Sequence, residues 1–134
     1  MTDKQKEYIE KNITNIENKQ WVEFFNPSIA PPGMGTVLKA AGIEFLNEIT
    51  NIPIRCFYKD QEISSFYVPS RIKTIDELAF YQCKNLHDVD LPNTLERIYD
   101  SAFSMCDSLT EIQLPDSLTH LGESAFSLVP LSVI

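Results

Sequence analysis

Apolar residues recur along this chain with a period of 23 positions, and the repetition is clearest from residue 66 onward. An aliphatic residue, a proline and a small polar residue stand together at 68–70, at 91–93 and again at 114–116. So regular a period predicts stacked structural repeats, in which each unit buries its apolar side against its neighbours. The aligned apolar columns are Phe66, Val89 and Ile112; Val68, Leu91 and Leu114; Ile72, Leu95 and Leu118; Ile75, Ile98 and Leu121; Ala79, Ala102 and Ala125; Phe80, Phe103 and Phe126; Cys83, Cys106 and Val129; and Leu86 with Leu109.

Within one unit, polar and apolar side chains alternate over a short stretch. Val89 and Leu91 fall on one side, and Asp88 and Asp90 fall on the other. This alternation predicts a short strand, and Pro92 ends it because proline cannot donate to a strand ladder. The Ala-Phe pair of each unit predicts a short helical or 3₁₀ corner, with the phenylalanine filling the inside of the coil.

A degenerate copy of the unit precedes the clear ones. It has leucine in place of the proline, at Leu46. The sequence therefore predicts four repeats, at 43–65, 66–88, 89–111 and 112–134, of which the first is eroded as terminal repeats usually are. The apolar residues of the first copy are Ile43, Phe45, Ile49, Ile52, Cys56, Phe57 and Ile63.

Residues 1–42 lie outside the repeats. Residues 2–25 are predicted to be helical, with a capping box from Thr2 to Gln5. The apolar positions i, i+4 and i+7 of this helix are Ile9, Ile13 and Ile16.

A second short helix is predicted over 35–41, after a Gly-Met-Gly hinge at 33–35. We expect residues 1–42 to form a helical cap that seals the first open coil, since solenoids need polar ends for solubility. A detachable binding helix is the alternative reading of this segment.

The carboxyl end of the sequence, residues 128–134, is almost wholly apolar. Two interpretations stay open for it. Either the natural chain continues with further repeats, or this edge pairs with another molecule to give a homo-oligomer.

Residues 86–109 read Leu-His-Asp-Val-Asp-Leu-Pro-Asn-Thr-Leu-Glu-Arg-Ile-Tyr-Asp-Ser-Ala-Phe-Ser-Met-Cys-Asp-Ser-Leu. This unit resembles the BspA-type leucine-rich repeat, whose pattern is roughly Leu-x-x-Ile-x-Ile-Pro-x-x-Leu-x-x-Ile-x-x-x-Ala-Phe-x-x-Cys-x-x-Leu. The resemblance implies an α+β solenoid, a right-handed coil of about four repeats behind the amino-terminal cap. It also implies a role in adhesion or protein contact rather than in catalysis.

The composition fits one compact domain. The chain has 134 residues, 43% of them hydrophobic and 22% charged. A net charge of −8 argues against direct nucleic-acid binding and against docking on anionic lipid. No stretch has the apolar length of a signal peptide core or a membrane span, so the sequence predicts a soluble cytoplasmic protein.

The net negative charge of the chain lies entirely in the repeats. Residues 1–42 hold five basic and five acidic residues, whereas residues 43–134 hold six basic and fourteen acidic ones. We expect the outward positions of the first strand of each coil to form an acidic surface that binds a basic protein partner, with Tyr67 as an aromatic anchor. The alternative is a small acidic inhibitor, a nucleic-acid-mimicking decoy of a nucleic-acid-binding enzyme. The residues of the expected surface are Glu44, Ser65, Tyr67, Asp88, Asp90, Glu111 and Gln113.

No catalytic set emerges from the remaining chemistry. His87 and His120 stand at different offsets within the repeat, so they predict exposed positions rather than metal ligands or bases. Cys83 and Cys106 occupy a core column and are expected to be buried, reduced thiols. The sequence predicts no enzyme, no cofactor and no metal site.

Overall fold

The computed structural model describes residues 1–132 of the chain. Four short helices open the fold, and a 3₁₀ turn follows them at Phe45–Asn47. The capping box is present: the Thr2 hydroxyl accepts from the Gln5 amide at 3.1 Å, and the Gln5 side chain accepts from the Thr2 amide at 2.8 Å. The helices are α1 (Asp3–Lys11), α2 (Ile13–Glu17), α3 (Trp21–Phe24) and α4 (Met34–Ala40).

Residues 2–25 are helical, as predicted, but in three segments rather than one, because the chain breaks twice. The α1 helix ends at Lys11, and the turn after α2 places Lys19 in the left-handed region with φ +57°. The breaks change which side chains face inward. Tyr8 is buried and donates its hydroxyl to the Phe24 carbonyl at 2.5 Å, whereas Ile13 is 45% exposed. Of the expected apolar stripe, Ile9 and Ile16 are half-buried against the core and Ile13 is not, and aromatic packing is added to it.

The remainder of the described chain carries six short strands in two parallel sheets. One sheet has the order β1-β3-β5-β6, and the other contains β2 and β4. Every pairing joins residues 23 positions apart, as Asn51 with Thr74 and Phe66 with Val89. The repeat period is thus also the register of both sheets. The strands are β1 (Asn51–Ile52), β2 (Ser65–Tyr67), β3 (Thr74–Ile75), β4 (Asp88–Asp90), β5 (Arg97–Ile98) and β6 (His120–Leu121).

Each coil turns through two left-handed residues, and none of these residues is glycine. The positions repeat with the same period, so that equivalent corners stack above one another. Such a conformation costs an L-residue about 1–2 kcal/mol, and the stacked coils hold it in place. The two columns are Arg55, Leu78, Ser101 and Ser124, with φ between 57° and 59°, and Lys59, Gln82, Met105 and Leu128, with φ between 53° and 61°.

Phenylalanine rings form a continuous column through the coils. Phe57 and Phe80 stack with their centroids 5.1 Å apart, Phe80 and Phe103 follow at 4.9 Å, and Phe103 and Phe126 at 5.3 Å. The first three rings are fully buried, and Phe126 is half-buried. Equivalent side chains are therefore spatial neighbours, as the repeat predicted.

The cysteine column lies beside these rings. Cys83 Sγ donates to the Phe57 carbonyl at 3.0 Å, and Cys106 Sγ donates to the Phe80 carbonyl at 3.2 Å. Both cysteines are free and buried, as is Cys56. Burial raises the pKa of the Cys106 thiol to about 12 and also raises the pKa of Cys83. These thiols are neutral packing groups with one hydrogen bond each.

The core continues from the coils into the amino-terminal helices. Trp21 and Phe25 pack their rings on Phe45, at centroid distances of 5.6 Å and 5.3 Å. Gly35 is a packing position rather than a free hinge, because a Cβ there would lie 2.8 Å from the Cys56 sulfur. The predicted division between residues 42 and 43 crosses one continuous core, and it stays a prediction.

Among residues 1–132, no helix has the length and apolar content needed to cross a lipid bilayer.

Candidate interaction surface

The exposed side chains of β2 and β4 form a small, regular surface. Ser65 lies beside Asp88, and Tyr67 lies beside Asp90, through the parallel register of the two strands. The side chains between them, Phe66 and Val89, point inward and are buried, so the strands follow strict alternation. Tyr67 is 71% exposed. An aromatic ring and two carboxylates therefore project from neighbouring strands, which lie about 4.8 Å apart in such sheets.

Glu44 does not belong to this surface, contrary to the sequence-based expectation. It precedes the 3₁₀ turn at Phe45–Asn47 and is not on a strand. Its carboxylate accepts a hydrogen bond from the Asn47 side-chain amide at 3.0 Å. Glu44 is exposed and Phe45 is buried, as the alternation predicts, but the segment forms a 3₁₀ turn in which Phe45 meets the aromatic rings of α3 and the residue that follows it.

Glu111 and Gln113 are exposed but also lie outside any strand. The two-stranded sheet ends at β4, so the expected ladder of four strands contains two. Gln113 still approaches the surface, since it lines a shallow depression of about 210 Å³ together with Asp90 and Asp116. The depression extends the acidic surface toward the last described coil.

The carboxylates of this surface are not neutralised within the described chain. The ion pairs among residues 1–132 join Lys11 to Glu7 at 2.7 Å and Lys19 to Glu48 at 3.4 Å. Neither pair includes Asp88 or Asp90. Unpaired, solvated carboxylates on adjacent strands produce a local negative potential that attracts basic groups.

Sequence reasoning missed a second partly exposed aromatic feature. Tyr58 and Tyr81 stack at 5.2 Å, and the Arg55 guanidinium lies 4.1 Å from the centre of the Tyr58 ring. Arg55 also donates to the Pro27 carbonyl, so it ties the amino-terminal segment to the first coil. The 23-residue spacing of the two tyrosines is the signal in the sequence that could have predicted this stack.

The two histidines are exposed, at separate offsets of the coil. The His120 ring lies 5.4 Å from that of Tyr99. In the described part of the chain, no three side chains among His, Cys, Asp and Glu converge as metal ligands would.

The comparisons with known proteins agree with this architecture. Residues 37–134 match the model of the BspA type leucine rich repeat region, in six copies. No curated protein matches the chain.

Solved structures of bacterial leucine-rich repeat proteins are similar. One from Bacteroides capillosus is 31% identical with a TM-score of 0.53, and the match covers 63% of this chain and 64% of that one. One from Eubacterium ventriosum is 25% identical, with a TM-score of 0.60 and coverage of 65% and 24%. One from Bacteroides ovatus is 28% identical, with a TM-score of 0.59 and coverage of 62% and 22%.

The match spans less than two thirds of the length of each of these structures. What these structures share with the chain is the leucine-rich repeat fold. With the family match extending over residues 37–134, the chain belongs to the BspA-type leucine-rich repeat family.

Proposed function

We propose that the chain is a non-enzymatic protein-interaction module that binds a basic partner protein through the exposed side chains of β2 and β4. The observation that carries the proposal is the pairing of Tyr67 with Asp90 on adjacent strands. Leucine-rich repeat proteins generally mediate contacts between proteins, and stacked repeats present extended binding surfaces. Exposed tyrosines are common anchors of such contacts because they bury a large area with few rotatable bonds.

Partner capture at increasing salt concentration tests this proposal. The chain is immobilised, bound protein from the source cell is identified, and its dissociation constant is then measured. We expect Tyr67→Ala to weaken binding at least tenfold and Asp90→Asn to weaken it several-fold with a smaller salt dependence. Asp107→Asn is the matched control, because Asp107 is an exposed acid away from the two strands. Equal effects of all three substitutions contradict the proposed surface.

The nucleic-acid-mimicking decoy stays a prediction from charge alone. It requires a partner that is released by a few hundred millimolar salt, because screening removes long-range attraction between exposed charges. Retention of the partner at high salt, combined with loss on Tyr67→Ala, supports apolar recognition instead.

We assign the amino-terminal segment the role of a cap on the first coil. Pro53, which has no amide hydrogen, stands in a column whose other members donate to the preceding coil. Gly35 supplies a donor at the same end, with its amide 2.9 Å from the Cys56 carbonyl. Both features reduce the number of unpaired backbone amides and carbonyls at this end of the stack, and such groups would otherwise invite aggregation. The donating members of the column are Asp76 (to Ile52, 3.0 Å), Tyr99 (to Ile75, 2.9 Å) and Gly122 (to Ile98, 2.7 Å).

At the opposite end we propose that the apolar edge of residues 112–132 is a contact surface, covered either by a second copy of the chain or by further repeats of a longer chain. Leu114, Leu121 and Leu128 are 41%, 48% and 74% exposed there. The amides of Phe126 and Leu128 have no backbone acceptor among residues 1–132, although their equivalents one coil earlier donate to this coil. The sequence predicts Val133 and Ile134 to be part of this edge, and they lie outside the described residues.

Sedimentation velocity over a range of concentrations tests the self-association. We expect a dimer that Leu121→Lys converts to a monomer, because a buried charge opposes pairing of the edge. The control is His87→Lys, at an exposed position of another coil. A wild-type monomer at 100 μM, roughly the upper range for a specific dimer of this kind, contradicts the self-association.

A further inference from the structure

The buried cysteine column has a carboxylate at its amino-terminal end. Counting back 23 positions from Cys83 gives Asp60, which is only 5% exposed. In the next two coils the equivalent thiol donates to the carbonyl of a phenylalanine in the coil before it. Asp60 has no coil before it, and its carboxylate lies instead beneath the amino-terminal segment, near Gly33 and Gln5.

Only one oxygen of the Asp60 carboxylate has hydrogen-bond donors. Oδ1 accepts from the amides of Glu62 and Ile63, at 3.0 Å and 3.3 Å. Oδ2 is buried and has no donor within residues 1–132. A buried, charged acceptor without a donor is costly, and native proteins supply a partner from water, an ion or a ligand.

A cleft of about 400 Å³ lies where the first coil meets the amino-terminal segment, and Asp60 is part of its wall. This volume falls within the range of small-ligand sites, roughly 300–1,000 Å³. Gly33 lies beside Oδ2, because a Cβ at this position would be 3.7 Å from that oxygen, and its φ of +76° favours glycine there. Thr36 and Glu62 contribute further polar groups to the wall.

Two side-chain amides of the cleft are already engaged as donors. The Gln5 side-chain amide donates to the Pro32 carbonyl at 2.9 Å, and that of Gln61 donates to the carbonyls of Lys59 and Gln82. The Lys59 ammonium, which also borders the cleft, lies 5.3 Å from the centre of the Tyr58 ring. Oδ2 of Asp60 is the buried acceptor without a donor in the described chain. The missing group is therefore a donor, and a cationic donor best matches the charge of a carboxylate.

We propose that this cleft binds a primary alkylammonium group, with Asp60 Oδ2 accepting one of its hydrogen bonds and Glu62 adding negative charge at the rim. A primary ammonium fits because it is compact, carries three donors and has no acceptor of its own. Its source is either a lysine side chain of a partner protein or a free alkylamine. The site shares no residue with the surface of β2 and β4, so the two proposals stand or fall separately.

Two probes test the site by titration into ¹⁵N-labelled full-length protein. The first is n-butylammonium, which represents a free amine, and the second is Nα-acetyl-lysine methylamide, which represents a protein side chain. We expect saturable shifts of the amides of Gly33, Thr36 and Glu62 with both probes. Tighter binding of the lysine derivative identifies a protein lysine as the source, and tighter binding of butylammonium identifies a free amine. Either order of the two affinities supports the proposed site.

Asp60→Asn is the decisive variant, because its side-chain oxygen still accepts from the amides of Glu62 and Ile63 while the charge is lost. We expect at least tenfold weaker binding in this variant and less than a twofold change in Asp107→Asn, which removes an exposed charge outside the cleft. Equal affinities of wild type and Asp60→Asn overturn the proposal. Equal binding of the neutral probe n-pentanol also overturns the proposal. An absence of saturable shifts overturns it as well, and would mean that Oδ2 meets only a buried water.

A second variant covers the case in which Asp60→Asn does not fold. Thr36→Leu adds apolar bulk to the cleft wall and leaves Asp60 in place. We expect it to weaken binding of both probes at least fivefold while the amide spectrum of the remaining coils is unchanged. Undiminished binding in Thr36→Leu overturns the assignment of the cleft.

Discussion

The phenylalanine column offers a direct test of the stacked fold, through truncation of an inner ring and of the last ring. Phe103→Ala removes a fully buried side chain that lies between two parallel rings, at 4.9 Å and 5.3 Å. Phe126→Ala removes the same atoms from a half-buried site with one stacked neighbour. The two substitutions are chemically identical and differ only in their place within the stack.

The structure allows the loss in free energy of unfolding to be estimated for each substitution. Truncation of a buried phenylalanine to alanine costs about 3–5 kcal/mol, the upper part of the range applying where the cavity cannot collapse. Phe103 is held by rings on both faces, so we expect ~4–5 kcal/mol. At Phe126 the side chain is already partly hydrated and has one stacked neighbour instead of two, so we expect ~2 kcal/mol. The predicted difference is about 2 kcal/mol.

Urea unfolding followed by two signals measures these costs. Far-ultraviolet circular dichroism reports on the whole chain, and fluorescence of Trp21, the single tryptophan, reports on the amino-terminal helices. Because Trp21 packs on Phe45 of the first coil, we expect both signals to change together. With a slope of about 1.5 kcal/mol per molar urea, the midpoints of the two variants should differ by more than 1 M.

Two results would refute this reasoning. Equal losses of stability in the two variants would mean that the inner ring has no more neighbours than the last one, contrary to a continuous column. A tryptophan transition well separated from the dichroism transition in the wild type would mean that the amino-terminal helices and the coils do not share one cooperative core.

Three further predictions concern backbone packing, thiol ionisation and the left-handed corners. Gly35→Ala should destabilise the fold by ~2 kcal/mol or more in thermal unfolding, since its Cβ would lie 2.8 Å from the Cys56 sulfur and 2.9 Å from the Cys56 carbonyl oxygen; an unchanged melting temperature would contradict the close approach. The pKa of the Cys106 thiol rises from 9.0 to about 12 on folding, so the unfolded chain loses this proton first and stability falls with rising pH between these values, by ~1.4 kcal/mol per pH unit for this thiol. Cys106→Ala should flatten the alkaline slope, and an identical slope in the variant would refute this assignment. Ser124 has φ +57°, so Ser124→Val should cost ~1–2 kcal/mol while Ser124→Gly changes stability by less than ~1 kcal/mol; equal urea midpoints for the two variants would speak against the left-handed corner.

The candidate surface was predicted from the sequence where strands form and missed where they do not. Alternation at β2 and β4 correctly placed Tyr67, Asp88 and Asp90 outward, because a strand with one buried face must expose every second residue. At Glu44 the same pattern correctly predicted an exposed side chain but not the local structure, since a strand also needs a paired neighbour and Phe45, packed on the aromatic rings of the amino-terminal segment, lies in a 3₁₀ turn instead.

The cleft at Asp60 was not predicted for a different reason. An aspartate in the degenerate first repeat reads as an exposed residue, because carboxylates are seldom buried. Its burial depends on the segment at 32–36, which packs over the first coil from a distant part of the chain. Only a comparison of Asp60 with Cys83, one period later, would have indicated an inward position.

The sequence by itself determined the middle of this protein. In a solenoid, each coil meets only its neighbours, so a period of 23 residues becomes both the register of the sheets and the order of the buried columns. The tertiary structure decided the amino-terminal end: the broken helix, the turn at Phe45 and the buried carboxylate of Asp60. The first coil has no preceding coil of the same pattern to cover it. Whether one of its side chains is buried therefore depends on which part of the amino-terminal segment packs over it.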